Sequence, residues 1–226
     1  MASDDIEKIV PLNTLIMKSI NLIISVLGLA ALISCSQPEN TPNETNKDMK
    51  AENQVIENIM TRRSIRKYKD GPVARETMDK ILECGINAPS GMNRQSWEIR
   101  VIDNPETAAK FKEAMVNANK DVKPEMVEGC FRGAPTLVFI ANDPSYDFSP
   151  IDCGLLSENI MLSAWSLGVG SVCLGSPIRF LAKSPEATQM LGFSEGYTPI
   201  ICIGLGYPDE SPEAKPRDKA KIQYLP

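Results

Sequence analysis

Arg62-Arg63-Ser64-Ile65-Arg66-Lys67-Tyr68, followed by Ala88-Pro89-Ser90-Gly91-Met92-Asn93-Arg94-Gln95-Ser96-Trp97, are the two stretches on which the reading of this chain turns. The first concentrates guanidinium and hydroxyl donors, the chemistry that grips a phosphate in bidentate fashion. The second is a polar turn that ends a helix and runs straight into a strand, backbone that can lie close against a flat ligand. Together they point to a phosphorylated, planar cofactor. The chain has no histidine, which excludes Ser-His and Cys-His nucleophilic catalysis and most catalytic zinc sites. If the protein is an enzyme, a cofactor is expected to carry the chemistry.

Outward from these stretches, helical and extended patterns alternate. Val55, Ile56, Ile59 and Met60 form one helical stripe, and Met78, Ile81, Leu82, Gly85 and Ile86 form a second that leads into Pro89. Trp97, Ile99 and Val101 alternate with Glu98 and Arg100 as in a half-buried strand. Asn104-Pro105 then supplies an N-cap and first-turn proline for a helix to about Asn119. Thr136 to Ala141 is an apolar run of strand length. Asp152 to Leu167 is apolar around much of its circumference, which predicts a central helix with Gly168 as its C-cap. Val169 to Leu174 and Pro199 to Leu205 read as buried strands. Alternation alone would predict a doubly wound parallel sheet.

At 226 residues, 42% hydrophobic and 23% charged, the chain has the length and composition of one globular domain. A net charge of −5 argues against a general nucleic-acid binder. Against that background the basic residues from Arg62 to Lys69 stand out as a local anion site, although such a run taken alone is more often a solvated face beside a helix end.

The first fifty residues read as targeting sequence. Ile20 to Ser34 is uncharged and of signal h-region length, short for a membrane span. Lys18 precedes it, and Leu32-Ile33-Ser34-Cys35 follows, similar to the lipobox of a bacterial lipoprotein with Cys35 as the lipidated residue. Asp4, Asp5 and Glu7 do not suit a signal n-region, so Met17 is a candidate start. Residues 36–50 are polar and read as a flexible tether. The division expected is 1–35 signal and lipobox, 36–50 linker, and 51–226 folded domain. Of the remaining cysteines, Cys84, Cys130, Cys153, Cys173 and Cys202, no two have Cys-x-x-Cys spacing, so neither a zinc site nor a disulfide framework is expected. Most are expected to be buried small hydrophobes.

Four blocks, RRSIRKY, APSGMNRQSW, SENIMLSAWSLGVGSVCLG and IGLGYPDESPEAKPR, resemble the FMN-dependent nitroreductase family in order and spacing, over nearly everything from Val55 to Arg217. The resemblance implies an α+β fold, a three-layer α-β-α sandwich with a mainly antiparallel central sheet, in place of the parallel one. It also implies an intertwined homodimer with FMN at the subunit interface. Within the first block Arg62, Arg63, Ser64 and Arg66 would meet the FMN phosphate and ribityl groups, joined by Lys215 and Arg217 from the last. Pro89, Ser90, Gly91 and Asn93 would contact the flavin ring and ribityl chain. Cys173, Leu174 and Gly175 would meet the isoalloxazine edge. No side chain need act as acid or base, since the flavin carries the chemistry.

Three departures from the family pattern leave the substrate subclass open: Ser96 in place of a common proline, Leu174 where some members have glutamate, and Met126 and Gly129 where certain members place Asn and Lys ahead of the strand at Thr136 to Ala141. The function implied is NAD(P)H oxidation coupled to reduction of nitroaromatics, quinones or similar acceptors by a ping-pong cycle, with NADH or NADPH as donor. A lipid-anchored flavin-binding or carrier module without turnover is the alternative, and a colourless tethered scaffold a third. Expected partners are a second copy and a small-molecule electron acceptor, with no nucleic acid and no membrane contact except through the anchor. The expected location is the bacterial cell envelope, or the cytoplasm if the signal reading fails.

Overall fold

The computed structural model describes residues 53–226. The Cys35 lipobox, the 36–50 tether and the first residues of the expected domain lie outside the described residues. Four strands, β1 (Trp97–Ile102), β2 (Thr136–Asn142), β3 (Gly170–Leu174) and β4 (Thr198–Gly206), form one sheet in the order β1-β2-β4-β3, and every neighbouring pair is antiparallel. Alternating helices and strands specify that helices cover the sheet. They do not specify strand direction, which is why alternation alone gives the wrong sheet here and the family resemblance the right one.

The period-two alternation of β2 divides the core. Leu137 and Phe139 point into one layer with Phe111, Met115 and Phe131, while Val138 and Ile140 point into the other with Met78, Ile81, Leu156 and Ile160. Both faces of this strand are buried. The sheet is therefore the middle of an α-β-α sandwich. On the first face lie α3 (Pro105–Ala118), the short α4 (Pro124–Glu128), α6 (Ser176–Leu181) and α7 (Pro185–Leu191). On the second lie α2 (Arg75–Ile86) and α5 (Ser149–Ser166).

Asn104 caps α3 as the sequence predicts, its side-chain oxygen accepting from Thr107 N at 3.0 Å, with Pro105 in the first turn. The helix α5 begins at Ser149, earlier than its apolar run, because Pro150 suits a first turn. Leu167 is its capping residue, one position before the expected cap Gly168, which follows at φ +74° and turns the chain into β3. Against α5, α2 packs closely through Gly85, where an added Cβ would lie 2.6 Å from Ile160 Cγ1. α1 (Gln54–Thr61) has the expected stripe but buries none of it, and Val55, Ile56, Ile59 and Met60 are exposed in the single chain.

Candidate functional site

The Arg-rich stretch does not continue α1 as helix, because it pairs with the far end of the chain. Lys69 N donates to Tyr207 O at 2.9 Å, Asp209 N donates to Lys67 O at 3.0 Å, and the Glu210 carboxylate accepts from the amides of Arg66 and Lys67. Ile65 N donates to Ser171 O at 3.0 Å, tying the same segment to β3. The Tyr68 hydroxyl closes the turn by donating to Ile65 O at 2.6 Å. Burial raises its pKa above the ordinary phenol value, against the opposing pull of the Arg66 charge. This stitching brings Arg62, Arg63, Ser64, Arg66, Lys215 and Arg217 to one cleft of about 240 Å³, although they come from opposite ends of the domain.

Within that cleft the guanidinium groups are not equivalent. Arg63 Nη1 donates to Met60 O and to Arg62 O, both at 2.8 Å, so it closes the end of α1 while lining the cleft. Arg66 Nη1 donates to Ser64 O at 3.1 Å. Arg62 Nε is buried and has no hydrogen-bond partner among the described residues; it lies 3.5 Å from Glu158 Oε1, near enough for ionic attraction but not aligned for a hydrogen bond. An orphaned guanidinium N–H beside a hydroxyl and several further cations is a donor set awaiting anionic oxygens. The residues thus fit the phosphate of a flavin mononucleotide.

The other predicted residues occupy two further places. Cys173 and Gly175, at the end of β3, are exposed while Leu174 is buried. Burial and then the Glu158 charge raise the Cys173 thiol pKa, and the same Glu158 carboxylate pairs with Arg62. Pro89, Ser90, Gly91 and Asn93 do not line the cleft. They belong to a turn held by the start of α5, where Asp152 Oδ1 accepts from Gly91 N at 3.1 Å. Gly91 is required there because an added Cβ would fall 2.1 Å from the Tyr146 hydroxyl. Arg94 stacks over the Tyr146 ring at 4.5 Å.

Asp152 and Glu158 are the residues that sequence reasoning missed. Their signal was available, since they are the two charged residues in an otherwise uncharged helix. Of the five cysteines described, Cys130, Cys153 and Cys202 are buried as expected, whereas Cys84 and Cys173 are exposed.

Residues 59–207 match the Nitroreductase family, which takes in most of the sandwich and both blocks of the opening motif. The chain belongs to this family. A Methanothermobacter thermautotrophicus protein, assigned by name only as an NADH dehydrogenase/NAD(P)H nitroreductase, is 36% identical over 163 residues, 70% of this chain and 79% of its own. The NADPH-flavin oxidoreductase of Vibrio harveyi is 29% identical over 177 residues, 75% of this chain and 72% of its own. Among solved structures, a Desulfitobacterium hafniense nitroreductase with bound FMN superposes with a TM-score of 0.68 at 31% identity, covering 77% of this chain and 99% of that one. In this member of the nitroreductase family Lys215 and Arg217 lie beyond the matched span, and it is the folding of residues 207–210 back onto 65–69 that brings them to the cleft.

Proposed function

We propose that this chain is an FMN-dependent NAD(P)H oxidoreductase that reduces nitroaromatic, quinone or similar acceptors in a ping-pong cycle. The observation that carries the reading is the convergence of Arg62, Ser64, Arg66, Lys215 and Arg217 on one cleft, with Arg62 Nε buried and unpartnered among the described residues. Family membership and the FMN bound by the D. hafniense relative support the same cofactor. Bound FMN would supply hydride chemistry, accepting from a reduced nicotinamide and delivering to an acceptor that takes the same place. The protein's part is to hold the phosphate by charge-assisted hydrogen bonds, to present Ser90 and Asn93 as polar contacts, and to offer β3 backbone at Cys173 and Gly175. No side chain in this scheme acts as acid or base.

We infer further that the site is completed by a second copy. Asp152, which holds the 89–93 turn, and Glu158, which pairs with Arg62 of the phosphate cleft, are six residues apart on α5. They are therefore about 9 Å apart along the axis and about 120° apart around it. One chain thus presents its turn and its cleft on different sides of its central helix. The exposed apolar residues of α1, Ile151 and Leu155 on α5, and Ile222, Tyr224 and Leu225 at the tail would cover one another in a homodimer. The expected interface exceeds ~2,000 Å² in total. For location we propose a lipid anchor at Cys35 in a bacterial envelope, on the strength of the uncharged 20–34 run that precedes it.

An absorbance spectrum followed by anaerobic addition of NADH or NADPH tests the central reading. A flavin spectrum that bleaches with the donor and recovers with a nitro compound is expected. Flavin that stays oxidised under both donors would leave a binding or carrier module, and a colourless protein that takes up no FMN would refute the reading.

A further inference from the structure

We infer that Asp152 is the positioning residue for the flavin-facing turn, setting where Ser90, Gly91 and Asn93 stand against the ring. This rests on the flavin reading above and deepens it by naming what holds the ring side of the site.

The turn needs an external hold. Met92, Asn93 and Gln95 take φ values of +52°, +53° and +50°, a left-handed backbone that non-glycine residues adopt only when their surroundings fix it. Its internal bonds are few. Asn93 N donates to Ser90 O at 2.9 Å, Arg94 N to Gly91 O at 3.0 Å, and Gln95 N to the Ser90 hydroxyl at 3.2 Å. None of these fixes the turn relative to the rest of the domain. At its exit Asp143 N donates to Ser96 O at 3.2 Å, and the connection that reaches the turn itself comes from α5.

Asp152 is 3% exposed. Its Oδ1 accepts from Gly91 N at 3.1 Å and its Oδ2 from the Ser96 hydroxyl at 3.2 Å, so one carboxylate spans the turn from near its start to its exit. One turn earlier, the Ser149 hydroxyl donates to Ser96 O at 2.6 Å and accepts from Asp143 N at 3.0 Å, fixing the exit a second time. Both residues lie in the first turn of α5, where unpaired amides favour a negative side chain. On the opposite side Tyr146 fills the space that a side chain at residue 91 would need.

Two consequences follow for the ligand. The Gly91 amide is turned inward to Asp152, leaving Ser90 and Asn93 as the polar groups available to a ring. The position of that turn then depends on a buried carboxylate whose two oxygens both bond the turn, so Asp152 acts through it.

The test uses the full chain with Asp152→Ala, Asp152→Asn and Ser96→Ala, titrated separately with FMN and with riboflavin, which lacks the phosphate. Melting temperature and the reduction potential of the bound flavin at saturating FMN are recorded alongside. Asp152→Ala is expected to weaken both ligands by a similar factor, about tenfold or more, because it removes charge-assisted bonds on the ring side only. It should also shift the potential of the flavin that remains bound. Asp152→Asn keeps an acceptor for Gly91 N and a donor to Ser96, and should recover most of the affinity and the potential. Ser96→Ala should weaken riboflavin by a smaller factor.

Loss of FMN affinity alone would overturn the assignment, since it places Asp152 with the phosphate cleft. A lower melting temperature with unchanged potential and riboflavin affinity would overturn it as well, leaving a purely structural residue. Should Asp152→Ala fail to fold, Ser96→Ala with unaltered riboflavin affinity and potential would overturn it. Wild-type protein that binds neither ligand would instead remove the flavin reading itself.

Discussion

Arg217→Ala is the sharpest probe of the cleft, because the side chain is exposed and its loss should leave the sandwich unchanged. A hydrogen bond to a charged group contributes about 1.5–3 kcal/mol. At 1.4 kcal/mol per tenfold, FMN should bind roughly 10- to 150-fold more weakly. Arg62, Arg66 and Lys215 share the cleft and retain the rest of the phosphate's partners, so binding should weaken without vanishing. Riboflavin supplies the internal control, since its affinity should be the same for variant and wild type. The FMN difference should also shrink with added salt, as the screening length falls from about 10 Å at 0.1 M to about 3 Å at 1 M. Flavin fluorescence quenching at two salt concentrations measures all of this. If FMN affinity is unchanged, or if FMN and riboflavin weaken together, Arg217 is not a phosphate ligand and the convergence of the two chain ends has another purpose.

Gly206→Ala places a Cβ 2.8 Å from both Pro135 Cδ and Tyr68 Cδ1, so chemical denaturation should show a loss of about 1–3 kcal/mol from overpacking against a rigid ring. Burial pushes the Cys130 thiol up to about 12 and the Cys153 thiol to about 11. Thiols of the unfolded chain ionise near 8.5 and release protons first. Stability should therefore be fully present below about pH 8.5 and fall as pH rises towards 11–12; a flat or rising denaturation midpoint between pH 9 and 11 would contradict this. Cys35→Ser should release the protein from the membrane fraction, whereas wild-type chain that stays soluble with residues 1–34 intact would remove the anchor. Sedimentation at micromolar concentration should show a dimer, and truncation after Lys215 should cost flavin and dimer together; a flavin-loaded monomer would refute the shared site.

What the sequence made legible depended on the range of the forces involved. The cap and first turn of α3 are set by Asn104 and Pro105, local residues acting on the backbone beside them, and both were readable. α4, α6 and α7, at 5, 6 and 7 residues, are too short to display a helical period and were not foreseen. The antiparallel sheet came only through resemblance, because strand direction is decided by packing among segments far apart in the chain. The phosphate donors were recognisable by residue type. Asp152 stands out as a charge in an apolar helix, but its role does not, because its partners are Gly91, 61 residues earlier, and Ser96, 56 residues earlier, and nothing local marks that connection.

The arrangement on α5 ties cofactor to assembly. If the phosphate cleft of one chain and the 89–93 turn of another grip the same flavin, whatever binding energy the turn supplies is available only to the associated form. By linkage, FMN must then strengthen the dimer by the same factor that dimerisation strengthens FMN. The exposed stripe of α1 and the apolar tail would supply association that does not depend on the ligand, so the dimer need not wait for flavin to form. The turn's left-handed residues have the opposite bearing. Held by Asp152 and Ser149 before any flavin arrives, they leave little backbone freedom to be lost on binding, and pre-organisation of that kind raises affinity without adding a contact.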